Sequence, residues 1–466
     1  MQKCQPGLVA RKVGTMLSCI RHLVSCALVG LPTLAIHGDT GLAQLPSLAE
    51  RCSDRDDDPD DRIAACTSLL NAGGRTLGRT LASAYMNRGA AYSRKSQYDR
   101  AVADYSAAIR SDPKNAKAYR GRANAYARMS KFDQAIDDAG RAIKLDAAPA
   151  MSFNLRGLIY AEKREHDRAI ADFNQAIRLT PQNATPLANR ALAYNSKGDV
   201  DRALSDANAA VALAPRNAFA FRTRGIVYAQ KCELNRAIED YSQAIRLQPR
   251  GARAYALRAF AHISSGNDDL AIADATQGIQ SDGDRAMAYA ALGAAYGRKD
   301  ELDRAIENFT QAIQLSPRRP RNYTRRGIVY VRKGNLDAAI ADYNRALEIN
   351  QRGVGAYQSR GYAYLLKGDL ARSIDDLDRA IALAPKLADA YTARGLAYHR
   401  KGERDRALQD FRQAIDLPLR CGSSGWAHET AREYVAAPPS DAIFQGPVPS
   451  FSDPDHDGDG MEGSTL

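Results

Sequence analysis

Ten segments of 34 residues follow one another from Ala82 to Cys421 without an insertion or a deletion. No other feature constrains the fold as strongly. A unit of this length cannot bury its own apolar face, so its stability comes from stacking on its neighbours. With positions numbered 1–34 in each copy, position 11 is Tyr in nine copies, from Tyr92 to Tyr398, and His262 in the sixth. Position 20 is Ala in nine copies and Ser373 in the ninth; position 27 is Ala in nine and Gly278 in the sixth. Position 32 is Pro in six copies: Pro113, Pro181, Pro215, Pro249, Pro317 and Pro385. Each copy reads as two amphipathic helices with a turn near positions 14–17, where Gly198, Gly334, Gly368 and Gly402 fall. Small residues at positions 8, 20 and 27 let helix axes approach closely. Pro at 32 cannot continue the second helix and marks the passage to the next copy.

Two columns of the repeat vary together. Copies with Gly at position 8 carry a large residue at 24: Gly89 with Tyr105, Gly157 with Phe173, Gly225 with Tyr241, Gly293 with Phe309, Gly327 with Tyr343, Gly361 with Leu377 and Gly395 with Phe411. Copies with Ala at 8 carry Ala at 24: Ala123 with Ala139, Ala191 with Ala207 and Ala259 with Ala275. A shared, fixed volume predicts that the two positions touch. Their alternation over the first seven copies suggests growth by duplication of a two-copy unit. The second covariation is ionic. Position 7 is Arg and position 23 is Asp in nine copies, among them Arg156 with Asp172 and Arg224 with Asp240, and the seventh loses both, to Leu292 and Asn308. Matched charges predict a structural ladder of Arg–Asp pairs, in preference to an arginine stripe that reads an anionic ligand.

The pattern of a small residue at 8, an aromatic at 11, Ala at 20, an aromatic at 24, Ala at 27 and Pro at 32 closely resembles the tetratricopeptide repeat family, over about three quarters of the chain. The resemblance implies an all-α fold, a right-handed α-solenoid of tandem helix-turn-helix repeats. It also implies that the first helices line a concave surface where a protein partner binds. On that face the expected contacts are Arg120, Asn124, Leu158, Leu192, Arg222, Ile226, Phe260, Ile328, Tyr362 and Leu396, an apolar track with basic edges that include Arg94, Arg128, Arg298, Arg332 and Arg400. Such a groove suits an extended peptide or an amphipathic helix; position 9 can equally be core. Family members that clamp a terminal carboxylate place basic residues and Asn at set positions in three successive copies. Arg120 and Asn124 fit the first copy, but Leu155, Thr185 and Asn189 break the pattern, so no such clamp is expected.

The flanks differ from the array. Residues 1–43 carry Lys3, Arg11, Lys12 and Arg21, then an apolar run from Leu23 to Ile36, then Gly41-Leu42-Ala43, which is the order of a secretory signal. Removal of that segment leaves no transmembrane span, and places the mature chain in the periplasm or outside the cell; if the signal is unused, the protein is cytoplasmic. In an oxidising compartment Cys52 and Cys66 would staple residues 44–81 into an N-terminal cap. Residues 422–440 hold a helical pattern of Trp426, Ala427, Ala431, Tyr434 and Val435 that reads as a capping helix. Residues 441–466, rich in Pro, Gly, Ser and Asp, read as a disordered acidic tail. Asp453, Asp455 and Asp457 imitate the start of a calcium loop, but Ser464 stands where the bidentate carboxylate is needed, so a solvated tail is the expected reading.

Net charge is +11 overall, and in residues 82–421 there are 55 Lys and Arg against 38 Asp and Glu. This excess favours acidic partners or simply keeps the array soluble. The seven histidines are scattered, and no glycine loop suited to phosphate is present. No catalytic site, cofactor or metal is therefore expected. The expected function is an exported adaptor that binds a protein or peptide, with nucleic acid not expected. The alternative is an electrostatic binder of an anionic polymer.

Overall fold

The computed structural model describes residues 45–54, 58–72, 78–418 and 425–436. The signal segment and the acidic tail, including Asp453, Asp455 and Asp457, lie outside the described residues. Among those described, every regular element is a helix. Helices α1 (Leu45–Ser53) and α2 (Pro59–Ala72) precede the array, and twenty helices form ten hairpins between Gly78 and Asp416. Helix α23 (Trp426–Ala436) follows. No helix among them is long and apolar enough to cross a membrane.

The third copy shows why the sequence folds this way. Its helices are α7 (Ala150–Glu162) and α8 (His166–Leu179). Position 15, here Arg164, is left-handed, and so is position 15 in all ten copies, with Gly in five and Ser96, Ser130, Arg164, Cys232 and Asp300 in the others. The amide of position 16 donates to the carbonyl of position 11, and that of position 15 to position 12, as in Glu165 to Tyr160 (2.8 Å) and Arg164 to Ala161 (2.9 Å). These are the two bonds of a Schellman ending, which satisfies the last carbonyls of the first helix and reverses the chain. Leaving the second helix, position 31 is extended, with φ near −140° at Asp112, Thr180, Gln248, Ser316 and Ala384, each the residue before a proline. Proline forbids helix to the residue before it, which sets this exit.

First helices of neighbouring copies pack on one another, whereas second helices of neighbouring copies do not pack to a comparable degree. First helices therefore line the inside of the curve. Between copies six and seven the stack tightens. Helix α14 (Asp268–Ile279) stops two residues early, and Asp282 pairs with the backbone of Arg250 and Ala252 (2.8 and 3.1 Å). A methyl at Gly278 would lie 3.0 Å from the Ala288 methyl, which explains glycine where every other copy has alanine. The copy that begins there is the one with Leu292 and Asn308.

Candidate functional site

The ladder comes first, because it decides which arginines are free to meet a ligand. In nine copies the position-7 guanidinium donates through Nε and Nη2 to both carboxylate oxygens of position 23, at 2.6–2.8 Å. Arg156 with Asp172 and Arg224 with Asp240 are two of these. The remaining nitrogen, Nη1, reaches back to position 25 of the preceding copy, as in Arg122 to Ser106, Arg258 to Ser242 and Arg326 to Thr310. Seven of the arginines thus join two helices of their own copy and stitch that copy to the one before, and Arg88 reaches Thr67 of α2 in the same way. Gly140 leaves Arg156 without this third bond. Hydrogen bonding to the aspartate raises these arginine pKa values, as at Arg156 and Arg224.

Two further columns consume charge. Lysine at position 14 pairs with Asp at position 18 of the preceding copy, as in Lys163–Asp133 (2.8 Å), Lys231–Asp201 (3.1 Å) and Lys299–Asp269 (2.6 Å). Arginine at position 19 lies over the position-11 tyrosine, at 4.3 Å for Arg168 on Tyr160 and Arg304 on Tyr296. Exposed pairs of this kind contribute about 0–1 kcal/mol each.

The volume columns meet in the core. A methyl at Gly157 would sit 2.7 Å from the Phe173 ring, and one at Gly225 2.6 Å from the Tyr241 ring. The other five glycine copies show the same approach. A third column completes the volume. Through the first five copies, an aromatic at 24 is followed by a small residue at position 10 of the next copy: Ala125 beside Tyr105, Ala193 beside Phe173, Ala261 beside Tyr241. After Ala139 and Ala207 it is Ile159 and Val227, both wholly buried. The relation ends there, since Ala295 follows Ala275 and Val329 follows Phe309.

At the ends, the sulfurs of Cys52 and Cys66 are bonded, and both cysteines are buried beside Leu69 and Ala84. Buried Arg62 donates to the Cys52 carbonyl and to Asn87, tying this cap to the first copy. Helix α23 buries Trp426, Ala427, Ala431 and Tyr434 against the tenth copy. The Tyr434 hydroxyl meets His399 Nδ1 at 2.6 Å, and Thr392 donates to the Ala427 carbonyl at 3.0 Å.

The expected partner-binding residues divide on this framework. Leu158, Leu192, Tyr362 and Leu396 are buried in the core. Asn124, Ile226, Phe260 and Ile328 keep partial exposure. The inner curve is tight enough for position 9 to meet the copy two places on. Arg325 stacks on Phe260 at 4.4 Å, and Trp426 meets Tyr362 edge-on at 5.8 Å. Most basic edges are held by preceding copies. Arg298 pairs with Asp268 at 2.8 Å, Arg332 bonds the Gly297 carbonyl and Asp300, and Arg400 bonds the Leu365 carbonyl at 2.8 Å. Arg128 donates to the Tyr98 hydroxyl, and Arg120 lies 3.6 Å from Asp146. Arg222 differs, having no carboxylate or carbonyl partner among the described residues. No group of three or more possible metal ligands occurs among the described residues.

Family models for tetratricopeptide repeats match residues 89–130, 122–184, 154–218, 286–319, 327–368, 361–402 and 388–419, more than half of the chain. The chain belongs to the tetratricopeptide repeat (TPR) family. Its fold is similar to solved TPR-type solenoids. One is the Cut9–Hcn1 hetero-tetramer of APC/C, at 15% identity and TM-score 0.47, over 80% of this chain and 93% of that one. A second is a TPR protein from Parabacteroides merdae, at 17% identity and TM-score 0.46, over 54% of this chain and 98% of that one. A third is yeast Tom70, at 16% identity and TM-score 0.44, over 84% and 96%. No curated protein sequence matches this TPR chain.

Proposed function

We propose that this protein is an exported adaptor that holds a peptide or helix of a protein partner along the inner face of its array. The reading rests on one observation: first helices line the inside of the curve and leave Asn124, Ile226, Phe260 and Ile328 partly open there. An extended concave surface of this kind is what solenoids offer to partners. Export is supported by the signal-like order of residues 1–43 and by the bonded pair Cys52 and Cys66, a bond that persists in oxidising compartments. The charge excess of the array supports the second reading, an anionic-polymer binder, yet the ladders commit many of its cations to internal carboxylates.

An affinity pull-down from envelope extract tests both readings, using protein that starts near Gln44 and washes of rising salt. Proteins retained at high salt and identified by mass spectrometry support the adaptor. Recovery of polyanions alone, lost steeply as salt rises, sinks it.

A further inference from the structure

Because every hairpin points the same way, the solenoid has two edges, one made of the turns within hairpins and one made of the exits between copies. The two edges handle charge differently. On the turn edge cations meet carboxylates: Lys197 pairs with Asp167, Lys231 with Asp201, Arg202 with Asp199 and Arg236 with Glu233. On the exit edge of copies two to five they do not. Lys144, Arg178, Arg216, Arg246 and Arg250 are exposed there, and none is in an ion pair among the described residues. The one carboxylate within residues 144–149, 178–183, 212–217 and 246–251 is Asp146, which lies 3.6 Å from Arg120. Apolar groups join the cations. Of the six exposed large apolar side chains among the described residues, four stand at position 30 on this edge: Leu145, Leu179, Leu213 and Leu315. The first three belong to successive copies, are 40, 48 and 39% exposed, and each ends its second helix.

Exposed apolar side chains rimmed by charge mark a surface that meets a partner or a membrane. Elements that lie on membranes combine the same two features, apolar side chains that enter the headgroup boundary and Lys or Arg that meet anionic lipid. Helix ends form a ridge here and no groove, so the row has nothing with which to wrap a peptide, whereas a bilayer can touch several copies at once. A nucleic acid would satisfy the cations and leave the leucines in water. A second copy of this chain would cover the leucines and bring like charges together.

We infer that the exit edge of copies two to five docks on an anionic phospholipid bilayer, with Leu145, Leu179 and Leu213 entering the headgroup boundary and the neighbouring cations meeting anionic headgroups. This edge and the inner face are different surfaces, so the membrane reading and the adaptor reading stand or fall separately.

The test is co-sedimentation of the protein from Gln44 to Leu466 with sucrose-loaded vesicles of phosphatidylcholine, alone or mixed with phosphatidylglycerol. Binding is expected on the mixed vesicles and not on phosphatidylcholine alone. Each Lys or Arg near an anionic leaflet raises affinity about 5-fold, so Arg178→Gln combined with Arg246→Gln should weaken binding about 25-fold. Arg168→Gln combined with Arg236→Gln, an equal charge change at exposed sites on the turn edge, should weaken it by less than about 3-fold. Leu145→Ser combined with Leu179→Ser should weaken it about 10-fold at unchanged charge. That variant should keep the thermal midpoint of the unsubstituted protein, since both side chains are already well exposed. Leu179→Trp should shift its emission to the blue on mixed vesicles, over the constant signal of buried Trp426. Equal weakening by the two arginine pairs would reduce the attraction to net charge and overturn the edge. Full binding by the serine variant, or tighter binding to duplex DNA than to mixed vesicles, would make the partner a soluble polyanion and overturn the membrane. No binding to mixed vesicles would assign the edge to a protein or to this chain's own acidic C-terminal residues, and the proposal would fall.

Discussion

Gly157→Ala is a substitution for which helix propensity and packing predict opposite signs. Replacing an interior helical glycine by alanine normally gains about 1 kcal/mol. Here the new methyl would stand 2.7 Å from a Phe173 ring that is wholly buried and has no room to retreat. Overpacking of this kind costs about 1–3 kcal/mol, so the net effect should be destabilising. Phe173→Ala removes the ring and should cost about 3–5 kcal/mol. Combining the two should cost no more than Phe173→Ala alone, because the methyl then has nothing to strike. Adding Ala193→Val rebuilds the set found at Ala191, Ala207 and Val227, and should bring stability to within about 1.5 kcal/mol of the starting protein. Urea unfolding followed at 222 nm gives the free energies, and amide exchange in copies three and four localises them. A stabilising Gly157→Ala, or a triple variant as weak as Phe173→Ala, would refute the shared-volume argument.

Asp172→Ala should cost more, about 2–3 kcal/mol, than Asp206→Ala, because Arg156 then keeps no side-chain acceptor while Arg190 still reaches Asn174; urea midpoints compare them. Ser130→Gly and Arg164→Gly should each stabilise by up to about 1 kcal/mol by relieving left-handed strain, and Gly334→Ala should cost about 1–2 kcal/mol, read as thermal midpoints. Burial chiefly lowers the His262 pKa, with Asp274 opposing and Arg258 reinforcing, so the unfolded chain binds more protons than the fold below about pH 6.5. Stability is therefore full above that pH and declines below it. The urea midpoint should drop more between pH 7.5 and 5.5 in the unsubstituted protein than in His262→Tyr. Reducing Cys52–Cys66 should speed amide exchange in α1 and α2, with a loss of about 3 kcal/mol expected for a loop of this length.

The hairpins were legible in the sequence because their pattern recurs in one frame, so each column is sampled ten times. The position 8 and 24 pairing and the position 7 and 23 ladder stood out for the same reason, since each substitution at one site is answered at the other. The third volume column did not stand out. Ala193 and Val227 both read as ordinary core, and only contact with the preceding copy shows that one answers Phe173 and the other Ala207. The left-handed turn was half visible: glycine marks it in some copies, while Arg164 and Asp300 conceal it in others. The inner face was least legible. Leu158 and Ile226 share a column and a chemistry, yet curvature buries the first and leaves the second partly open. Arg222 was placed on that face by its position, but its lack of a carboxylate partner among the described residues depends on the curvature, which no single column records.

In the first five copies the alternating volumes make successive copies non-interchangeable, so that stretch behaves as a polymer with a two-unit alphabet. Excising copy two alone would press Tyr105 against Ile159, and excising copy three alone would set Ala139 against Ala193 over a void. Excising both would join Tyr105 to Ala193, a pairing of the kind already used between copies three and four. Over the first five copies the stretch can lengthen or shorten cleanly in steps of two copies and not of one, whereas copies six to eight already tolerate Ala295 after Ala275 and Val329 after Phe309, so parity constrains that first stretch alone.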